Sequence, residues 1–369
     1  ESRMSAESVE PLGLDGARDF MREAEVSFEA DGHKRFAVAS WAPVNVVWGR
    51  DNRTTGFRVV GNGPALHIEC RFPGGDMNAY LEKIAKAVPG RAKYWTIGKS
   101  EEGRDMSVLV IGNEETIRNL EKYKGNLAAL TDPRKTTEAQ AQQLIKTSKP
   151  IYWITSGMHS PETGGPEMLM ELAYRLVVEE TPLIQNIRNN VITMITPVVE
   201  TDGRDKVVDA YNYSKTHPGV NRNNLMMYWG KYVQHDNNRD GMGQFLALTR
   251  NIEKFGIEWK PTILHDLHEA QTLLYASTGT GPYNEQLDAI TINEWWVLAE
   301  NDVIEMTKRG VPGVWTYGFY DGWVPNYMFF IAHSHNAVGR FYEVQSYGPD
   351  ATTVTPAATV TSREWFRPN

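Results

Sequence analysis

Cysteine is almost missing from this chain. Cys70 stands alone among 369 residues, which excludes an internal disulfide framework and any cysteine-rich zinc site. A metal here would have to rest on histidine and carboxylate ligands. An apolar run long enough for a transmembrane helix is also lacking, so no membrane span is expected. Basic excess is lacking too. The net charge is −8 and no Lys/Arg stripe stands out, which argues against nucleic acid as the main partner. No pattern of charged n-region and apolar h-region opens the sequence at Glu1, so no signal peptide is expected in it. Internal repeats and low-complexity tracts are absent as well. What is present is 41% hydrophobic and 23% charged residues, the balance of a globular chain able to bury a large core in one or two domains.

The most informative stretch is Gly157-Met-His-Ser-Pro-Glu162. Just before it, Pro150-Ile-Tyr-Trp-Ile-Thr155 is apolar, β-branched and aromatic, and predicts a buried strand. A strand that stops at a turn delivers His159 and Glu162 to the sheet edge, and both side chains are good zinc ligands. By itself His-x-x-Glu is common by chance and reads as a surface turn with Glu162 solvated. A third ligand must come from elsewhere, and Ile263-Leu-His-Asp-Leu-His268 offers two histidines. Alternation along a strand puts His265 with Ile263 and Leu267, and His268 with Leu264 and Asp266. His268 is preferred because it lies at the strand's carboxyl end, where sites in open α/β sheets form. His265 is expected to be a core histidine or one that supports the ligands from behind.

Residues 1–80 have a character of their own. Asn45–Trp48, Gly56–Val60 and Leu66–Phe72 predict short strands between Gly, Asn and Asp turns. The segments Trp48-Gly-Arg-Asp-Asn-Arg-Thr-Thr-Gly-Phe-Arg-Val-Val, Ile68-Glu-Cys-Arg-Phe-Pro and Asp76-Met-Asn-Ala-Tyr-Leu81 resemble the later part of the glutamine synthetase catalytic domain. That resemblance implies substrate and phosphate binding for Arg53 and Arg58, a metal for Glu69, and the substrate carboxylate or phosphate for Arg71. His67 and Ala79 depart from the family's Arg and Pro. Most of that family's metal carboxylates and its nucleotide site have no counterpart here, so residues 1–79 are expected to be a fragment without ligase function.

From Tyr80 onward, helical and strand patterns alternate. Helices are predicted at Tyr80–Val88, Met168–Glu180, Leu246–Phe255 and Ala289–Lys308, with helix and exposed connection over 114–148. Strands are predicted at Met106–Gly112, Val191–Val199, Thr262–His268 and Gly339–Val344, with a hairpin turn near Thr96–Arg104. Such alternation implies a three-layer α/β/α sandwich with a mixed, largely parallel central sheet, preceded by a small β-rich segment.

Several segments in order then resemble the zinc carboxypeptidases of the carboxypeptidase A type, over about residues 80–350. They are Ile97–Arg104 (first hairpin), His159-Ser-Pro-Glu162 (first two zinc ligands), Thr196-Pro-Val-Val-Glu-Thr-Asp-Gly203 (an Asn-Pro-Asp-Gly turn with Glu-Thr in place of Asn-Pro), His235-Asp-Asn-Asn-Arg239 (Asp-x-Asn-Arg), Leu267–Tyr275 (third ligand) and Phe341-Tyr-Glu-Val344 (catalytic glutamate). The resemblance implies a catalytic domain over 80–369 that binds Zn2+ through His159, Glu162 and His268 and cleaves residues from the C-terminus of a peptide or protein. It also implies a secreted or periplasmic setting.

Three protein ligands leave zinc a position for water, whose proton a carboxylate must accept and pass to the leaving amine. Glu343, in an apolar strand, is the candidate; the bland reading makes it the partner of Arg340 in a buried ion pair. An exopeptidase must recognise a terminal carboxylate, which the planar fork of arginine does well. Asn238-Arg239 is the preferred clamp, since Asp236 precedes it at the family spacing, and Asn221-Arg222 is the alternative. Arg222 resembles the family's oxyanion arginine. Asp236 is expected to accept a hydrogen bond from a ligand imidazole, that of His159. For the tyrosine that closes over substrate, Tyr317, Tyr320 and Tyr327 all lie in a suitable Gly- and aromatic-rich loop; Tyr320 is the one carried forward as a site residue. Two other functions compete: a non-catalytic zinc- or peptide-binding module, and a ligase defined by the N-terminal fragment.

Overall fold

Apolar runs enriched in β-branched and aromatic residues build the centre of this molecule, because such side chains pack well on a pleated surface covered from both sides. A computed structural model of the chain describes residues 74–221, 236–270, 274–311 and 313–345, together with the backbone of four short strands before them. Those strands pair as two hairpins, β1 (Phe28–Ala30) with β2 (Lys34–Phe36) and β3 (Arg58–Val59) with β4 (Leu66–His67). The predicted strand Asn45–Trp48 lies outside the described residues.

The main sheet contains β5 (Ala92–Lys99), β6 (Asp105–Ile111), β7 (Ile151–Ser156), β8 (Ile192–Thr196), β9 (Ile263–Ala270), β10 (Leu274–Ala276), β12 (Val314–Trp315) and β14 (Val338–Gln345). Two further short strands, β11 (Thr280–Tyr283) and β13 (Asp321–Gly322), pair with each other beside it. The eight strands run in the order β5-β6-β8-β7-β9-β14-β10-β12. The central four, β8, β7, β9 and β14, are mutually parallel; β6 runs antiparallel to both β5 and β8, and β10 runs antiparallel to β14 and parallel to β12. The expected mixed, largely parallel sheet is therefore present.

Alternation along these strands feeds two cores. Val108, Val110, Trp153, Met194 and Leu264 pack with residues of the helices Leu120–Leu130 and Ala247–Trp259 on one face. Leu109, Ile111, Ile154, Ile195 and Leu267 pack on the other face, against the helices Gly74–Ala87 and Gly164–Val178. Each fully buried Leu, Ile or Met on these faces contributes roughly 1.5–3 kcal/mol. Two helix starts are capped by side chains. Thr181 caps Pro182–Asn190 by accepting from the Ile184 amide, with Pro182 in the first turn, and Thr137 with Gln140 forms a capping box.

The helix predicted from Tyr80 begins earlier, at Gly74. Met77, fully buried, anchors the added turn in the same core as Leu81. Asn78 donates to the Asp105 carbonyl and accepts from Ser107, tying that turn to β6. The domain boundary expected at 79/80 thus falls within a continuous helix.

Two buried histidines are held toward the neutral form. His333 donates from Nε2 to the Gly339 carbonyl at 2.7 Å, and burial pushes its pKa down to about 4. His265, with Nδ1 2.8 Å from the Tyr152 hydroxyl, is pushed well down by burial and then by Arg340. A histidine whose folded pKa is depressed stabilises the fold above its unfolded value near 6.5 and loses that stability as pH falls. For His333 the loss by pH 4 is about 3 kcal/mol. Thermal melting should therefore drop between pH 6.5 and 4. His333→Gln, which keeps an N–H donor but does not titrate, should make that slope shallower; an unchanged slope would dismiss the assignment.

Candidate metal centre

Three of the four central strands end at one place. β7 leads through Gly157, at φ +63, into the turn bearing His159 and Glu162. His268 lies near the carboxyl end of β9, and Glu343 on β14 is its register partner across the parallel pair. The parallel arrangement brings these residues together, since each strand delivers its last side chains to the same edge.

His159, Glu162 and His268 converge with one potential ligand atom each, all within 4.8 Å of one another. His159 Nδ1 faces Glu162 Oε1 at 2.7 Å and His268 Nδ1 faces Glu162 Oε2 at 3.1 Å. The other ring nitrogens face carboxylates: His159 Nε2 lies 2.8 Å from Asp236 Oδ1, and His268 Nε2 lies 2.6 Å from Asp266 Oδ2. If each Nε2–H donates to its aspartate, each Nδ1 of a neutral ring presents a lone pair toward a carboxylate. Lone pairs and a carboxylate meeting in a buried space favour a cation held among them, a bound proton or a metal ion. The pKa shifts have the same origin. Burial opposes charge on His159, but Asp236 and Glu162 outweigh it and raise its pKa. For His268 burial is likewise outweighed, by Asp266 and Glu162. Burial raises the Glu162 carboxyl, yet the two histidines win and hold it down at about 2. Two imidazoles and a carboxylate are the donor set zinc accepts in sites that keep an open position, so the residues fit that metal.

The aspartates supply the orienting hydrogen bonds common behind metal-bound histidines. Asp236 was expected. Its Oδ1 also accepts from the Asn238 amide and so caps the short turn Asn237–Arg239. Asp266 was not singled out as a partner. It shares a strand face with His268, two residues away, and its Oδ1 accepts from Thr155 on β7. An Asp-x-His pair inside a predicted strand is the signal that would have found it. His265 points away from this site, as expected, toward Tyr152 and Tyr342.

Glu343 is 4% exposed, and its Oε1 accepts from the Tyr320 hydroxyl at 3.3 Å. Burial, with Glu162 adding and His268 opposing, pushes its carboxyl up to about 7. Arg340 is not its partner: three residues earlier on β14, it ion-pairs with Asp302. Among the three candidate tyrosines, Tyr320 reaches Glu343, Tyr327 lies under the Arg239 guanidinium at 4.3 Å, and Tyr317 is 66% exposed. Arg239 is partly exposed and lies 3.5 Å from Asp236 Oδ2. Asn238 is buried; its Oδ1 accepts from the Met328 amide and its Nδ2 lies 3.3 Å from His268 Nε2. Arg222 lies outside the described residues, as do Arg53, Glu69, Arg71 and the side chain of Arg58.

Comparison with known proteins accounts for both parts of the chain. Residues 25–88 match the glutamine synthetase catalytic domain. Among curated proteins, the chain is 55% identical over 51 residues to a gamma-glutamylethanolamide synthetase of Streptomyces coelicolor, covering 14% of this chain and 11% of that protein. It is 37% identical over 71 residues to type-1 glutamine synthetase 2 of Dictyostelium discoideum, covering 19% of this chain and 13% of that protein. The chain thus spans little more than a tenth of the curated relatives it matches. Its fold is similar to thrombin-activatable fibrinolysis inhibitor, with a TM-score of 0.52, 12% identity, and 76% of this chain and 69% of that one covered. It is also similar to a metallo-carboxypeptidase of Pseudomonas aeruginosa, with a TM-score of 0.50, 11% identity, and 74% and 60% covered. Residues 77–288, more than half of the chain, match the zinc carboxypeptidase model, which overlaps the synthetase match over 77–88, nearly all of it in the helix Gly74–Ala87. The protein therefore belongs to the zinc carboxypeptidase family.

Proposed function

We propose that this protein is a zinc-dependent carboxypeptidase that releases residues from the C-terminus of peptides, with Glu343 as general base. The observation that carries this reading is the meeting of His159, Glu162 and His268 at one edge of the sheet, with Glu343 in register beside His268. Zinc held by the three ligands would supply an acidified water and a polarised scissile carbonyl. The chain's own residues do the rest. Glu343 takes a proton from the attacking water as its oxygen bonds to the carbonyl carbon. It then gives that proton to the amine nitrogen as the C–N bond breaks, a role suited to a carboxyl lifted toward neutrality. Tyr320 donates to Glu343 Oε1 and so orients the base. Asp236 and Asp266 hold the two imidazoles. Arg239, stacked on Tyr327 with part of its guanidinium exposed, is the clamp for the terminal carboxylate. Asn238, in the same turn and held by accepting from the Met328 amide, is assigned to the clamp beside Arg239. Arg222 is assigned to the developing oxyanion.

The activity is assigned to residues 80–369. Residues 1–79 are assigned no ligase function, because the matched part is little more than a tenth of the synthetases it resembles.

The test is release of C-terminal residues from free-acid peptides, lost with a chelator and restored by zinc. Arg239→Ala should raise KM for free-acid peptides about tenfold or more, since a charged hydrogen bond contributes about 1.5–3 kcal/mol. C-terminally amidated peptides, already poor, should change little. An unchanged preference for free acids over amides in this variant would move the clamp away from Arg239.

A further inference from the structure

The turn that bears two of the ligands is held by a buried carboxylate to which the mechanism gives no role. Beyond β8 the chain continues beside the ligand turn: the Val199 amide donates to the Ser156 carbonyl, and the Glu200 amide donates to the Gly157 carbonyl at 3.0 Å. Glu200 then opens the helix Thr201–Thr216. Its Oε2 accepts from the Gly203 amide at 2.5 Å and from the Ser160 hydroxyl at 2.9 Å. Ser160 lies between His159 and Glu162, and both Ser160 and Glu200 are within 3% of complete burial. The contact leaves no slack. A Cβ added at Gly203 would stand 1.9 Å from Ser160 Oγ and 2.0 Å from Glu200 Oε2.

We propose that Glu200 is a positioning residue for the metal: through Ser160 it fixes the backbone between His159 and Glu162, and with it the spacing of those two ligands. The proposal rests on the reading of His159, Glu162 and His268 as the ligand set. Three observations converge on it. The turn is already closed by the Glu162 amide donating to the His159 carbonyl, so anchoring its middle residue leaves it little freedom. A carboxylate at a helix N-terminus is favoured by the exposed amides and the helix dipole, which makes Glu200 a firm anchor. The glycine at 203 lets the helix start approach within contact of Ser160, where any side chain would push the turn outward. A plain helix cap would need only the Gly203 contact; the second contact, to the ligand turn, is what a positioning role adds.

The experiment measures zinc affinity of the full chain by competition with a chromophoric chelator, alongside melting with chelator present. Ser160→Ala should bind zinc about tenfold more weakly, the usual scale for losing support behind metal ligands. Gly203→Ala should weaken zinc at least as much. Glu200→Gln keeps an oxygen that accepts from both donors and should stay within about threefold of wild type. Ser160→Ala should melt close to wild type, which separates positioning from general stability. A wild-type chain that takes up no zinc overturns the ligand set and this proposal with it. A wild type that binds zinc while Ser160→Ala binds equally tightly overturns the positioning role alone.

Discussion

Glu343→Gln should bind zinc as the wild type does and turn over peptide roughly 10²–10⁴-fold more slowly, the usual contribution of a positioned general base. The change is nearly isosteric. The amide oxygen still accepts from Tyr320, and the backbone register of β14 with His268 on β9 and Tyr275 on β10 does not depend on the side chain. What is lost is a group able to take the water's proton and return it to the amine. Because the proton moves in the transition state, the effect should fall on kcat, with KM nearly constant. Zinc content and peptide binding measured on the same preparation separate chemistry from folding. A variant that released C-terminal residues at the wild-type rate with zinc in place would sink the proposed mechanism. The same variant weighs the family's catalytic role against a binding module: a binder would lose nothing, since it needs no base.

The His159→Ala/His268→Ala double variant should lose its metal altogether. Affinity follows ligand number and geometry, and removing both imidazoles leaves only the Glu162 carboxylate of the cluster. Metal analysis after dialysis should find about one zinc per wild-type chain and essentially none in the variant, with activity lost in step. The fold should survive the loss. Asp266 keeps its hydrogen bond from Thr155, Asp236 keeps that from the Asn238 amide, and Glu162 keeps that from the Glu269 amide. Circular dichroism on both proteins checks this. Equal zinc in wild type and double variant would place the metal elsewhere.

The elements themselves were legible in the chain because the signals for them are local. The run Ile151–Ser156 is β-branched and aromatic and is a strand; Ala289–Lys308 carries its cap at Asp288 and is a helix over the range its pattern implies. Strand alternation was enough to separate His265 from His268, since residues three apart on a strand face opposite ways. The long-range partners around the site and the register of the strands follow from no local pattern. That Glu343 meets Tyr320 and that Arg340 turns to Asp302 depend on which elements lie side by side and how far each is slid. The start of the first long helix at Gly74 was hidden for the same reason. Met77 and Asn78 are held by β6 and the core behind it, so packing carries that helix further than its own sequence signals indicate. Composition and periodicity thus determined the layers and the candidate ligands. Tertiary packing alone decided that Glu343 meets Tyr320 and that Arg340 meets Asp302, because residues distant in sequence meet only once the sheet has formed.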